Sequence, residues 1–172
     1  MSVSRHLRLS ATIAISLLCC SLAIAASQEI AIVLTGREAT RVIPTSFYYE
    51  GQSAPTQMRN SAAARFGTNR YVIVGLVDTS GYSTEVRAKY QGFFITDSAV
   101  NIGGNELPTG AYGFGFSSDG KFNVFDVGGK AVTSVGATKD TALRRPRPLM
   151  MVKEKDGVRL YAERSFVVIT SK

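Results

Sequence analysis

The chain has 172 residues, with 20 Lys and Arg against 13 Asp and Glu, two Cys, one His and no Trp. That length supports one domain with a real core and leaves no room for two of ordinary size. A net charge of +7 favours solubility and weak attraction to anionic surfaces, and it falls short of the dense basic footprint of a nucleic-acid binder.

Arg5, His6 and Arg8 form a positive n-region, Leu9 to Leu22 is almost wholly apolar or small, and Ala23-Ile24-Ala25 is an A-x-A cleavage site. The apolar run is shorter than the roughly 20 residues needed to span a bilayer as a helix. Residues 1–26 are therefore expected to be a cleavable signal peptide, and the mature protein to be exported, periplasmic or extracellular, with no transmembrane segment. Two alternatives compete. An uncleaved anchor is suggested by Ile30 to Leu34, which resumes the apolar character after Ser27-Gln28-Glu29. Lipid modification at Cys19 or Cys20 is the other, but Ser16-Leu17-Leu18 does not supply small residues immediately ahead of the cysteine.

Cleavage would remove both cysteines and the single histidine, and would lower the net charge to +5 by taking Arg5 and Arg8. An oxidising compartment permits disulfides, yet the mature chain would have none. Ser–His–Asp and Cys–His catalysis and the usual zinc sites are excluded on the same ground.

Beyond the leader, short strand-like runs alternate with turn signals. Gln28 to Leu34 is apolar and β-branched, Thr45 to Glu50 carries Phe47, Tyr48 and Tyr49, and Tyr71 to Val77 has the strongest strand propensity in the chain. Gln57 to Phe66 reads either as a helix, with Met58, Ala62 and Phe66 at helical spacing, or as a strand turning through Gly67 into Tyr71 to Val77. The hairpin is preferred because Tyr71 to Val77 needs a partner. Glu85 to Thr96 reads as strand with a break near Gly92. Ala99 to Ile102 returns through Gly103-Gly104-Asn105 into Glu106-Leu107, which is hairpin chemistry. Ala111 to Phe116 and Lys121 to Val127 flank Ser117-Ser118-Asp119-Gly120. Leu149 to Lys153 and Val158 to Ala162 flank Glu154-Lys155-Asp156-Gly157, and Ser165 to Thr170 closes the chain. Turns recurring every ten residues or so predict a single all-β domain over residues 27–172, an antiparallel β-sandwich or partly closed barrel of about eight to ten strands.

Two segments are candidate sites. In Ala111 to Phe116, period-two alternation puts Tyr112, Phe114 and Phe116 on one face and leaves Ala111, Gly113 and Gly115 on the other. Such a bare face is either a smooth groove for a ligand or a place where a neighbouring element packs close. Arg144-Arg145-Pro146-Arg147-Pro148 is held extended by its prolines and offers three guanidinium groups to anionic lipid or cell-wall phosphate; the plain alternative is a solvated loop. Glu50, Asp78, Glu85, Asp97, Asp119 and Asp126 keep a carboxylate-based hydrolase in view, although several sit at turns, where Asp is expected anyway. No calcium-loop spacing and no phosphate-binding glycine loop is present, so no metal and no cofactor is assigned.

Asn101-Ile102-Gly103-Gly104-Asn105-Glu106-Leu107-Pro108-Thr109-Gly110-Ala111-Tyr112 contains the pattern I-G-G-x-x-L-P-x-G-x-Y. It resembles small exported bacterial proteins of the acidobacterial type, all-β domains without an assigned activity. Val77 to Tyr82 and Lys89-Tyr90-Gln91 extend the likeness, which covers about Tyr71 to Pro148. It implies export and a β-fold and transfers no catalytic residue.

The leading reading is a non-enzymatic binding or accessory module of the cell envelope. Its expected partner is a small apolar ligand lined by Tyr112, Phe114 and Phe116, or an envelope component, and no nucleic acid. The competing reading is an assembly protein that pairs through a sheet edge or an aromatic patch.

Overall fold

The computed structural model describes residues 30–172; the expected signal peptide and both cysteines lie outside them. The fold is an all-β sandwich of two antiparallel sheets, with no closed barrel. Fourteen strands, β1 to β14, lie among the described residues and exceed the eight to ten expected; β10 and the two-residue β11 correspond to no strand-like run in the sequence. Eight strands form the first sheet, in the order β1-β3-β4-β5-β8-β9-β10 with β2 paired to β3. They are β1 (Ala31–Val33), β2 (Ser46–Tyr49), β3 (Gln52–Phe66), β4 (Arg70–Val77), β5 (Gly92–Thr96), β8 (Gly110–Phe116), β9 (Lys121–Phe125) and β10 (Ala131–Gly136). The second sheet runs β12-β13-β14-β6-β7 with β11 paired to β14. Its strands are β6 (Val100–Ile102), β7 (Asn105–Leu107), β11 (Thr138–Lys139), β12 (Arg147–Glu154), β13 (Gly157–Glu163) and β14 (Ser165–Ser171).

Gln57 to Phe66 belongs to β3, paired antiparallel with β4 from Ser61–Gly75 to Phe66–Arg70. Gly67 supplies the left-handed turn at φ +59°. The register shifts between Thr56 and Ser61, so β3 bulges at Gln57 to Asn60, and this bulge later shapes one wall of a groove. β6 and β7 form the expected hairpin, with Gly103 and Gly104 both at positive φ, the pair of angles a two-residue type I′ turn requires.

Two helices were not foreseen. Glu85 to Lys89 is not strand: Thr84–Lys89 forms helix α2, following α1 at Gly36–Val42. Ser83 Oγ caps α2 by accepting the Val86 N–H at 3.3 Å, with Glu85 in the first turn and Arg87 and Lys89 in the last. A cap and a charge order matched to the helix dipole outweigh the strand-like pair Val86 and Tyr90. The expected strand survives only beyond the break, as β5.

The sheets enclose a core in which Phe94, Phe114, Phe122, Ile102, Leu107, Leu160 and Ile169 have no exposure. Burial of each such side chain contributes about 1.5–3 kcal/mol. A second core lies on the outer face of the first sheet, built from Phe47, Tyr49, Tyr82, Val86, Tyr90 and Phe93. The β2–β3 hairpin and α2 lay these rings over β5 and β8, so the central strands of the first sheet are covered on both faces. The near-continuous apolar run of β4 is the sequence trace of that double burial.

Candidate functional site

The glycine face of β8 is filled. A side chain at Gly113 would enter the ring of Tyr49, and one at Gly115 would meet the main-chain oxygen of Lys89. The glycines let the second core approach the sheet, so no groove lies over them, and the expectation of a smooth binding face is corrected. On the opposite face Phe114 is fully buried, while Tyr112 and Phe116 pack half-buried against the inter-sheet core. Tyr112 Oη donates to Pro108 O at 3.0 Å, and burial pushes its phenol pKa upward. Phe116 lines a hollow at one end of the sandwich.

That end is built by the second sheet. Arg164, at the β13–β14 corner, donates from Nη1 to Leu143 O at 2.7 Å and to Thr141 O at 3.2 Å. Asp140 accepts from Tyr161 Oη at 2.9 Å and from Ala142 N at 3.0 Å, and its own N–H donates to Arg164 O at 2.8 Å. These bonds pin residues 140–143 to the sheet, and the chain then runs through Arg144 and Arg145 into β12. Arg144, Arg145 and Arg147 are all exposed, and none is ion-paired among the described residues.

Three adjoining hollows surround this segment. The first, about 460 Å³, lies between Arg87, Gln91 and Phe116 on one side and Pro148, Glu163 and Ser165 on the other. Gln91 holds that wall in place: its Nε2 donates to Phe116 O and its Oε1 accepts from Phe116 N, both at 3.0 Å. The second, about 410 Å³, is framed by Lys139, Arg147 and Arg164. The third, about 530 Å³, runs between α1, the β3 bulge and β12, with Arg59 and Arg147 in its lining. The first two share Pro148, Glu163 and Ser165, and the second and third share Arg147. Five basic side chains therefore line the three hollows against one carboxylate, Glu163. Arg59, Arg87, Lys139 and Arg164 are members that sequence reading missed; they come from β3, α2, β11 and the β13–β14 corner, and only the tertiary fold gathers them.

The carboxylates raised as a hydrolase alternative have local partners. Asp97 Oδ1 accepts the Tyr71 N–H at 2.7 Å, and Asp126 Oδ1 accepts from Gly128 and Lys130 at 3.0 and 2.9 Å. Glu50 pairs with Lys89 at 3.1 Å. Hydrogen bonds from Ser80 hold the Asp78 carboxyl below its ordinary pKa, and bonds from Lys121 and Ser117 do the same for Asp119. Glu85 is exposed on α2. Among the described residues no group of three His, Cys, Asp or Glu comes together, and no helix is long and apolar enough to cross a membrane.

Comparison with protein-family models, with curated proteins and with solved structures returns no match.

Proposed function

We propose that the protein is a non-enzymatic, exported module that docks on anionic phospholipid surfaces of the cell envelope through the arginine-rich end of its sandwich. One observation carries the reading: five basic groups against a single carboxylate line three contiguous hollows, directly beside the exposed Arg144 and Arg145. Guanidinium groups bind phosphate oxygens in bidentate fashion and are weakly hydrated, so they lose little on contact. Each contributes about 1 kcal/mol near an anionic membrane. The test is co-sedimentation with phosphatidylglycerol-containing vesicles and with pure phosphatidylcholine vesicles. Binding to the first and not the second is expected; equal binding, or none, overturns the reading. Retention by purified cell wall with no binding to vesicles would transfer the face to wall phosphate instead.

The assembly reading keeps one supporting observation. β10 ends its sheet, and Val132 on it is 44% exposed. An aromatic patch has less support, since Tyr48 is the one exposed aromatic residue among those described. Sedimentation analysis decides it: a monomer at all concentrations removes edge pairing.

A further inference from the structure

The chain has four methionines, and the three that follow Met1 all line the same groove. Met58 comes from the bulge of β3 in one sheet, Met150 and Met151 from β12 at the edge of the other. Ala39 of α1 lies along the groove as well, and Arg59 and Arg147 complete the lining. At about 530 Å³ the space is within the range that accepts small molecules.

Methionine is unbranched and polarizable, and it suits surfaces that must fit a flexible apolar shape. Met58 is 38% exposed, an apolar side chain left open to water beside other apolar side chains. Neither Arg59 nor Arg147 is ion-paired among the described residues. A groove lined by methionines and by two guanidinium groups without an ion-pair partner complements a molecule with an apolar tail and an anionic head. A polar peptide would leave the methionines unmatched, and a bare phosphate would leave the groove empty.

We propose that this groove binds a single-chain anionic amphiphile, a long-chain fatty acid, with its tail along Met58, Met150 and Met151 and its carboxylate at Arg59 and Arg147. The inference rests on the anionic docking reading through Arg147, which belongs to both sites. Protein expressed from the full chain with ¹³C-labelled methionine methyl groups is titrated with dodecanoate below its micelle concentration, and in parallel with 1-dodecanol. Dodecanoate is expected to shift the Met58, Met150 and Met151 signals and to bind at least about tenfold more tightly than the alcohol, the effect of a favourable charge contact. Met58→Glu, which brings a like charge to the groove, is expected to weaken dodecanoate by about tenfold or more, and Met58→Leu to retain it. Silent methionine signals, equal binding of the alcohol, or unchanged affinity in Met58→Glu would each overturn the proposal. If dodecanoate fails while phosphatidylglycerol vesicles still bind, the groove inference falls and the docking face stands; if both fail, both fall.

Discussion

The ring of Tyr49 occupies the space that a side chain at Gly113 would need. The same ring lies flat on Tyr90, centroids 3.9 Å apart and planes 13° apart, and Tyr90 immediately follows α2. Glycine on β8, an aromatic on β2 and the end of a helix thus form one stack. Gly113→Ala is predicted to lose about 1–3 kcal/mol by overpacking. Gly115→Ala should lose more, because its obstacle is the Lys89 main chain rather than a ring. Urea unfolding measures both, and wild-type midpoints would show that the second core yields freely.

The phenols of that stack differ in hydrogen bonding. Tyr82 Oη donates to Gln52 O at 3.1 Å, whereas Tyr49 Oη and Tyr90 Oη are buried beside Glu50 and Tyr82 without a hydrogen bond of good geometry among the described residues. Removing an unsatisfied hydroxyl removes a desolvation penalty, and removing a bonded one loses the bond. Tyr90→Phe should therefore be as stable as the wild type or up to about 1 kcal/mol more stable, and Tyr82→Phe about 1 kcal/mol less stable. Thermal denaturation of the two variants side by side checks the order.

Burial also sets an alkaline limit. It raises the Tyr49 and Tyr90 pKa values in the folded protein, while the unfolded chain ionises tyrosine near pH ~10. Above that pH the unfolded state holds fewer protons than the native one, so stability falls as pH rises. The contribution is fully present below pH ~10 and is lost as the folded pKa values are approached. A Tyr49→Phe, Tyr90→Phe double variant should show a shallower decline between about pH 10 and 12. An unchanged slope would mean that these phenols are not held neutral by the fold.

Arg164 both lines the docking end and holds the segment before Arg144 in place. Its two bonds to Thr141 O and Leu143 O are charge-assisted, and their loss should cost about 1.5–3 kcal/mol before solvent replacement. In Arg164→Met, amide exchange at residues 141–145 is predicted to quicken while that of β4 and β5 stays slow. Slow exchange throughout would show that Asp140 and Tyr161 suffice to hold the segment.

The architecture was legible because most turns are local chemistry. Gly103-Gly104, Gly67 and Gly120, all at positive φ, announce their hairpins, and the alternating rings of β8 announce a core face. What was not legible was contact between segments distant in sequence. α1 has only Ala39 and Val42 as partly buried apolar residues, too few to show a helical period. α2 was masked by the strand-like Val86 and Tyr90, although Ser83 was a readable cap. Gly113 and Gly115 pointed correctly to a close approach, but Tyr49 lies 64 residues away and could not be named as the occupant. Arg144, Arg145 and Arg147 were visible as a run. Arg59, Met58 and Arg164 join them only once β3 and the β13–β14 corner come together.

The central claim is that the arginine-rich end carries the affinity for anionic surfaces. The most direct measurement compares the wild type with the Arg144→Gln, Arg145→Gln, Arg147→Gln variant on phosphatidylglycerol vesicles at low and high salt. Three guanidinium groups at about 1 kcal/mol each predict a loss on the order of 100-fold at low salt, with the two proteins converging at high salt as screening sets in. Equal binding of wild type and variant at low salt would contradict the account.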